Sequence, residues 1–408
     1  MGQHWNKTES DWKGKEPVAG ATNMPRTGIK SKAYSALERL TRQVGITING
    51  SKPWDIQVRD ERFYQEVLGK WSLGLGEAYM DGYWECQELD GCITRLLSQD
   101  INHRALGWAR LSLFFGALWA KLRNLQSKAR AFQVGEQHYD TGNDIFENML
   151  DSSLVYSCAY WEKAQDLEQA QKDKLDMVCH KLQLKAGEKL LDIGCGWGGF
   201  MAYATRHYGV EATGVTVSKE QRQYALDRYG DLPLKIELAD YRDLQGTYDK
   251  IVSIGMFEHV GVRNYPTFFN TAKRLLKDDG LFLLHTIGNN ITTRSTDRWI
   301  DKYIFPNGEI PSAAQIAKAL ERRFLIEDWH NFGQDYDRTL MAWYDRFEQA
   351  WPKLTAKYGE RFHRMWKYYL LCCAGFFRSR QGQLWQIVLS KRDKLDTYRS
   401  VRLAALPR

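Results

Sequence analysis

The feature that most restricts the fold of this chain is a series of short apolar segments that begins after about Lys185. Six of these segments have the length and composition of β-strands: KLLDIG, VEATGVTV, LKIELAD, DKIVSIG, LFLLHTIG and, after a longer interruption, QLWQIVLS. Polar stretches with helical patterns separate the first five. Strands that are apolar throughout are typical of a parallel sheet covered on both faces. The alternation therefore predicts a doubly wound α/β domain.

The length of 408 residues allows two domains. Residues 1–30 are polar and are expected to form a flexible tail, and residues 31–130 to form a smaller, mostly helical domain with glycine-rich turns. Residues 131–408 then contain the α/β domain. An aromatic-rich segment at about 292–374 interrupts the strand pattern and is expected to be a helical insertion that roofs a pocket.

The positive charge of the chain is concentrated in one segment. The net charge of +7 suits an anionic partner, such as a phospholipid surface, nucleic acid or nucleotide. Residues 101–135 include no Asp or Glu but six basic residues: Arg104, Arg110, Lys121, Arg123, Lys128 and Arg130. Within this segment, LSLFFGALWAKLRNLQSK has an apolar stripe at helical spacing but is too short to span a bilayer. A docking surface for an anionic leaflet and an interdomain packing helix both remain open.

The N-terminus lacks the apolar core of a secretory signal, and no stretch reaches the roughly 18 apolar residues of a spanning helix. We therefore expect a cytoplasmic protein. The seven cysteines show no CxxC spacing, so we expect reduced thiols, with neither a metal site nor a disulfide framework.

A glycine-rich loop follows the first apolar strand. KLLDIGCGWGGF places Asp192 at the strand end and then Gly194, Gly196 and Gly198 before a helix, where backbone without Cβ atoms can approach a nucleotide-type ligand. A simple tight turn is the alternative. A dinucleotide site favours GxGxxG with a later acidic residue, whereas the second strand here is followed by GVTVSKEQ, so NAD is disfavoured.

The DxGxGxG form resembles motif I of class I S-adenosylmethionine (SAM) methyltransferases. After the second strand, Thr216, Ser218 and Gln221 are then the expected cofactor contacts, and the resemblance implies that Asp240 and Tyr241 border the adenine. The usual acidic ribose ligand after the second strand is absent.

Several longer motifs resemble one methyltransferase family. VYSCAYW, LDIGCGWGG, GMFEHVG, LHTIG, YIFPNG and DWHNFGQDYDRTLMAWYDRF are similar to the bacterial cyclopropane-fatty-acyl-phospholipid synthases and mycolic acid cyclopropane synthases, over about residues 31–388. The resemblance implies a Rossmann-like, mainly parallel seven-stranded sheet with a helical, lipid-binding N-terminal domain. It also implies a homodimer at the inner face of the membrane, with anionic phospholipids and not nucleic acid as the partner.

The implied reaction transfers a methylene from SAM to the cis double bond of an unsaturated acyl chain, with bound bicarbonate as the base. The resemblance assigns the bicarbonate site to Glu258, His285, Tyr336 and the backbone of Cys158 and Ile287. It also implies SAM contacts by Tyr156 and Ser157, and an active-site role for Cys373 that an apolar setting disfavours, because such surroundings raise a thiol's pKa.

Other interpretations of these residues and of the chain remain open. The alternative for Glu258 and His259 is a helix cap or a surface pair. The alternative for His285 is a core histidine with its hydrogen bonds satisfied, and for Tyr336 a structural ring. The alternative functions are a fatty-acyl C-methyltransferase that yields methyl-branched, methylene or hydroxylated chains, a small-molecule methyltransferase, and a non-catalytic SAM- and lipid-binding protein.

Overall fold

A computed structural model describes residues 28–98, 142–293, 296–392, 394 and 396–402. The expected tail up to residue 27 lies outside these residues, and so does the basic segment 101–135 with its apolar stripe. No helix in the described ranges is both long and apolar enough to cross a membrane.

The described N-terminal residues are mostly helical, as expected. A short antiparallel pair of two-residue strands, in which Val58 lies opposite Trp84, joins the helices. The elements are α1 (Gly28–Gln43), β1 (Gln57–Val58), α2 (Arg62–Lys70), α3 (Ser72–Met80), β2 (Trp84–Glu85) and α4 (Leu89–Ser98).

The remaining described residues form an α/β domain with a seven-stranded sheet in the order β5-β4-β3-β6-β7-β9-β8. Strands β3 to β7 are parallel, and β9 runs antiparallel between β7 and β8. The strands are β3 (Lys189–Ile193), β4 (Glu211–Thr216), β5 (Leu234–Leu238), β6 (Tyr248–Ile254), β7 (Leu276–Asn289), β8 (Leu325–Asn331) and β9 (Gly382–Ser390). The helices are α5 (Asn143–Met149), α6 (Leu167–Leu182), α7 (Gly199–Tyr208), α8 (Lys219–Tyr229), α9 (Tyr265–Leu275), α10 (Arg298–Tyr303), α11 (Ala313–Leu320) and α12 (Gln334–Arg378).

The six strands expected from apolar runs correspond to β3 to β7 and β9, which confirms the doubly wound class. Strand order diverges on either side of β3, toward β4 in one direction and β6 in the other. In such sheets, ligands bind outside the carboxyl ends of the strands at this switch point. The glycine loop, which follows β3, lies there.

The expectation of a wholly helical insertion at 292–374 is wrong in one respect, because β8 lies within it. Among the described strands, β8 lies at the edge of the sheet and pairs only with β9. Its first two residues, Leu325 and Ile326, are exposed. An edge strand need not be apolar throughout, so β8 lacks the pattern that identified the others.

Helix α12 connects the two parts of the molecule. It breaks at Gly359, where φ is +73°, and its second half packs against α3 and α4. Arg364 donates to the carbonyl oxygen of Tyr79 at 2.6 Å, and a Cβ at Gly375 would lie only 2.9 Å from the carbonyl oxygen of Asp90. One continuous apolar core therefore includes the N-terminal helices and α12.

Candidate active site

The glycine loop after β3 has a backbone that requires glycine. Gly194, Gly196 and Gly198 have φ values of +89°, +53° and +81°, a region that side chains with a Cβ rarely adopt. A Cβ at Gly194 would also lie 2.6 Å from Cβ of Met256, in the loop after β6. The loops after β3 and β6 are therefore in contact, and Gly198 leads directly into α7.

Asp192, the penultimate residue of β3, is buried, and its Oδ1 has no hydrogen-bond partner among the described residues. Burial raises the pKa of Asp192 to about 7, and the nearby ammonium of Lys174 opposes the shift. Lys174 is itself fully buried and donates to Oγ of Ser157 at 2.9 Å. A buried carboxylate oxygen left unpaired at a strand's carboxyl end is the feature expected of a ligand site.

The residues predicted after β4 form an interlocked group at the start of α8. Ser218 caps this helix by accepting from the backbone N–H of Gln221 at 3.2 Å. The hydroxyl of Thr216 donates to Oε1 of Gln221 at 3.0 Å, and all three side chains are buried. They shape the turn at the carboxyl end of β4.

Beyond β5, Asp240 accepts from the guanidinium of Arg242 at 2.7 and 2.6 Å and is buried. The ring of Tyr241 packs edge-on against Phe268. Both residues lie directly after β5 and so share the sheet edge with the glycine loop.

The loop before α6 brings Tyr156 and Cys158 to the interior. The hydroxyl of Tyr156 lies 2.6 Å from that of Tyr369 on α12, and its ring lies 5.1 Å from Trp343. Cys158 is fully buried, and burial raises the pKa of its thiol well above the ordinary value. The side chain of Cys158 is therefore a neutral thiol.

Glu258 and Ile287 are in direct contact. Glu258 lies in a short 3₁₀ turn after β6, and its Oε1 accepts a hydrogen bond of 2.7 Å from the backbone N–H of Ile287 on β7. Its Oε2 is buried without a partner in the described ranges. Burial raises the pKa of Glu258 to about 7. The surface-pair interpretation of Glu258 is wrong, because only 8% of the residue is exposed.

His285 on β7 is buried and has one bonded and one unbonded ring nitrogen. Its Nδ1 lies 3.3 Å from Nε2 of Gln386, whereas its Nε2 has no partner in the part of the chain that the structure describes. Burial and the charges of Lys174 and Lys181 lower the pKa of His285 well below its ordinary value, so the ring is neutral. A core histidine with both nitrogens satisfied does not fit these contacts.

Tyr336 stands near the start of α12, half-buried, with its ring stacked on Phe377 at 4.5 Å. Burial raises the pKa of its hydroxyl well above the ordinary value, and the nearby acidic groups of Cys158 and Glu258 disfavour its ionisation further. The hydroxyl is thus a proton donor within electrostatic reach of both residues.

Cys373 also lies on α12 and is half-buried. Burial raises the pKa of its thiol to about 12, and the negative charge of Asp297 adds to the shift. Among the described residues no cation opposes the rise in the pKa, so the thiolate that a nucleophile needs is scarce near neutral pH.

Sequence reasoning missed five residues that complete this region: Lys174, Lys181, Trp343, Tyr369 and Gln386. The two lysines are seven residues apart on α6 and so share one helix face among apolar neighbours, which was a usable signal. Gln386 interrupts an otherwise apolar strand, and a polar residue there is informative. Nothing in the local sequence distinguishes Trp343 and Tyr369 from other core aromatics.

A family profile described as "Mycolic acid cyclopropane synthetase" matches residues 126–387. The chain belongs to the mycolic acid cyclopropane synthetase family. As members of this family do, it has the fold of a class I SAM-dependent methyltransferase, and it is an enzyme of that type.

Two relatives and one solved structure place the chain within the family. It is 52% identical over 358 residues to the "Cyclopropane-fatty-acyl-phospholipid synthase" of Escherichia coli K12, which covers 88% of this chain and 93% of the relative. It is 33% identical to the "Tuberculostearic acid methyltransferase UfaA1" of Mycobacterium tuberculosis, over 78% of each chain. The crystal structure of mycolic acid cyclopropane synthase CmaA1 complexed with SAH and CTAB has a TM-score of 0.60 and 32% identity, covering 64% of this chain and 98% of CmaA1.

Proposed function

We propose that this enzyme is a cyclopropane-fatty-acyl-phospholipid synthase, which converts a cis double bond of a membrane phospholipid's acyl chain into a cyclopropane ring. One observation carries the proposal beyond family membership. Glu258 and His285, at the carboxyl ends of adjacent parallel strands, each have one hydrogen-bonded polar atom and one buried polar atom without a protein partner in the described ranges. Such a pair is suited to hold a small anion with its own hydroxyl group.

The residues at the switch point fit SAM. Gly194, Gly196 and Gly198 leave the backbone open to close approach. Oδ1 of Asp192, for which the described part of the chain provides no partner, supplies an acceptor. Bound SAM would supply an electrophilic methyl group. The residues that would hold it are Tyr156, Ser157, Asp192, Gly194, Gly196, Gly198, Thr216, Ser218, Gln221, Asp240 and Tyr241.

The residues around Glu258 fit bicarbonate. Nε2 of neutral His285, which has no partner among the described residues, and the hydroxyl of Tyr336 are donors, whereas Oε2 of Glu258 is an acceptor for a hydroxyl. The backbone of Cys158 is the remaining proposed contact. The Ile287 N–H donates to Glu258, so Ile287 supports the site by stabilising the carboxylate. Bound bicarbonate would supply the base for the proton that ring closure releases.

The walls of this region are aromatic. Tyr336 lies 6.0 Å from Trp343 and 4.5 Å from Phe377, and Trp343 lies 5.1 Å from Tyr156. Methyl transfer to an alkene produces a carbocation on the acyl chain, and ring faces stabilise a cation. Trp343 and Phe377 are buried, and apolar walls of this kind limit the access of water, which would otherwise capture the cation as an alcohol.

The direct test incubates the purified enzyme with SAM and vesicles of a cis-monounsaturated phospholipid, followed by mass spectrometry and proton NMR of the lipids. We expect acyl chains that gain one CH₂, lose their olefinic protons and acquire cyclopropyl protons. The same mass gain with retained olefinic protons would instead identify a fatty-acyl C-methyltransferase. No change in the lipids, with SAM still bound, would favour a non-catalytic binding protein.

We further propose that the protein is a homodimer that associates peripherally with the inner face of the membrane through anionic lipids. The basic segment 101–135, which contains no Asp or Glu, supports the membrane association, and it lies outside the residues that the structure describes. The dimer rests on the family resemblance and the helical N-terminal domain. Replacing Lys121, Arg123, Lys128 and Arg130 by Gln should weaken sedimentation with anionic vesicles and spare SAM binding.

The matched control for this test replaces Lys163, Lys172, Lys185 and Lys189, which are all exposed, by Gln. It removes the same number of positive charges from another part of the chain and should leave vesicle binding close to wild type. Equal losses in the two variants would point to a general charge effect. Light scattering of the purified protein tests the dimer.

A further inference from the structure

His285 belongs to a row of polar side chains that crosses three strands. The antiparallel register pairs His285 of β7 with Gln386 of β9, and Gln386 in turn with His330 of β8. Residues directly opposite in adjacent strands carry their side chains on the same face. His285 and Gln386 are both at most 1% exposed, so this row continues from the candidate anion site into the interior.

Lys181 of α6 lies over this row. It is fully buried, and its ammonium has three acceptors around it: Oε1 of Gln386 at 2.8 Å, Nδ1 of His330 at 3.0 Å, and Oδ2 of Asp328 at 3.7 Å. An ammonium has three N–H donors and no acceptor. Burial lowers the pKa of Lys181 to about 7, and the carboxylate of Asp328 opposes that shift.

These contacts determine which way the Gln386 amide faces. Because an ammonium can only donate, Gln386 must present its oxygen to Lys181. Its NH₂ group then faces His285, and a donor at that position requires an acceptor on the ring. Nδ1 of His285 must therefore carry the lone pair, and in a neutral imidazole the single proton then resides on Nε2.

We propose that Lys181, as an ammonium, and Gln386 are positioning residues that hold the proton of His285 on Nε2, so that this nitrogen is a donor toward the anion site. The catalytic benefit rests on the proposed function, in which Nε2 donates to bicarbonate, whereas the tautomer itself does not depend on it. Without the two residues the ring can also adopt the Nδ1–H form, whose Nε2 lone pair would repel an anion.

The tautomer is measured by long-range proton–nitrogen NMR of the full-length enzyme with ¹⁵N-labelled histidine, below pH 7 and without added bicarbonate. The His285 signals are assigned by their loss in His285→Asn. In the wild-type protein we expect a neutral ring with a protonated Nε2. In Gln386→Glu, the carboxylate accepts from both Lys181 and the ring, so the single ring proton should move from Nε2 to Nδ1. In Lys181→Met, the amide is free to rotate, and the Nδ1–H form should appear.

Activity supplies a second readout. Both variants should require about tenfold more bicarbonate for half-maximal rate, because one hydrogen bond to a charged group weakens, whereas KM for SAM should stay within about twofold. His330→Phe is the matched control. It removes another partner of Lys181, on the side away from His285, and should leave the tautomer and the bicarbonate requirement unchanged.

Two results would overturn the inference: an Nδ1–H tautomer in the wild-type protein, or an unaltered tautomer in a folded Gln386→Glu variant. If burying a methionine at position 181 prevents folding, the Gln386→Glu spectrum alone decides. If the tautomer changes as expected but bicarbonate affects no variant's rate, the positioning role stands and the bicarbonate part of the proposed function fails.

Discussion

The Oε1 atom of Glu258 lies 2.7 Å from the backbone nitrogen of Ile287, and this contact joins the loop after β6 to the end of β7. It uses one carboxylate oxygen and leaves the other buried and unpaired in the described ranges. The N–H of Ile287 favours the ionised carboxylate, whereas burial favours the protonated acid. Glu258 is thus placed so that a bound hydroxyl would complete its hydrogen bonds.

Glu258→Gln should therefore abolish most of the activity while it preserves the fold. The amide oxygen can still accept from Ile287, but the NH₂ group replaces the acceptor that faces the anion. We expect the rate of cyclopropane formation to fall about 100-fold or more, comparable with loss of a single electrostatic contact in other active sites. Initial rates with vesicle substrate and isothermal titration with SAM measure the two effects.

Glu309→Gln is the control for this variant. Glu309 also accepts a backbone N–H, from Val262 at 2.8 Å, and its own N–H donates to the carbonyl oxygen of Glu258. This variant makes the same chemical change in a residue that contacts the backbone of Glu258. It should reduce the rate of cyclopropane formation by less than about threefold. A comparable loss in both variants would mean that the charge balance of the region, and not the Glu258 carboxylate, sets the rate.

The raised pKa of Glu258 also predicts a pH-dependent stability difference. Between pH 4.5 and about 7, folded Glu258 keeps a proton that the unfolded chain releases. The unfolding free energy contributed by this group therefore falls as pH rises through that window, and the loss is complete above the folded pKa. The amide of Glu258→Gln does not titrate. Its unfolding free energy should therefore rise relative to that of the wild type as pH increases, by roughly 3 kcal/mol at most at pH 8.

Urea unfolding of the ligand-free proteins at pH 5 and pH 8 measures this difference. The difference between the wild-type and variant unfolding free energies removes the contributions of other titrating groups. One of these is Asp192, whose pKa is also raised. A variant that is less active but more stable at pH 8 would identify Glu258 as a residue retained for function at a cost in stability. An equal stability difference at both pH values would contradict the buried, proton-binding carboxylate.

The strands and the cofactor loop were predictable because their causes are local. A strand covered on both faces must be apolar throughout, and β3 to β7 and β9 have that pattern. The positive φ values at Gly194, Gly196 and Gly198 require glycine, so the sequence itself marks the turn. β8 was missed because a partly exposed edge strand needs neither apolar residues throughout nor glycine at a fixed position.

The site residues were less predictable, because their roles depend on pairing between distant parts of the chain. Glu258, His285 and Tyr336 were recognised by resemblance alone, and local patterns favoured ordinary structural roles. The spacing of Lys174 and Lys181 places them on one helix face but does not identify their partners, and Gln386 is 101 residues from the histidine that it contacts. Only the register of β9 between β7 and β8 shows that these side chains meet.

Gly194→Ala should prevent SAM binding. The new Cβ would lie 2.6 Å from Met256, and the residue would retain an unfavourable φ of +89°. Relief of the clash requires the loops after β3 and β6 to separate, which displaces the backbone that would contact SAM. Isothermal titration should show at least a tenfold weaker binding of SAM.

Gly187→Ala is the control for this variant, because it introduces the backbone strain without the clash. Gly187 has a similar φ of +80°, but a Cβ there meets nothing within 4 Å. Both variants should lose about 1–2 kcal/mol of stability from the left-handed conformation, and only Gly194→Ala should lose SAM affinity. Tight SAM binding by Gly194→Ala would show that the loop can open without affecting the site.

Cys373→Ala should retain activity within about threefold of wild type. The half-buried thiol has a pKa of about 12, so its thiolate is scarce at neutral pH, and methylene transfer to an alkene needs no sulfur nucleophile.

Tyr336→Phe, on the same helix, provides the contrast: it keeps the stack on Phe377 but removes the hydroxyl proposed to donate to the anion. Its rate should fall at least tenfold. Rates measured from pH 6 to pH 9 complete the test, because a catalytic thiolate would give a rising limb in wild type that disappears in Cys373→Ala, and that result would restore Cys373 as a catalytic residue.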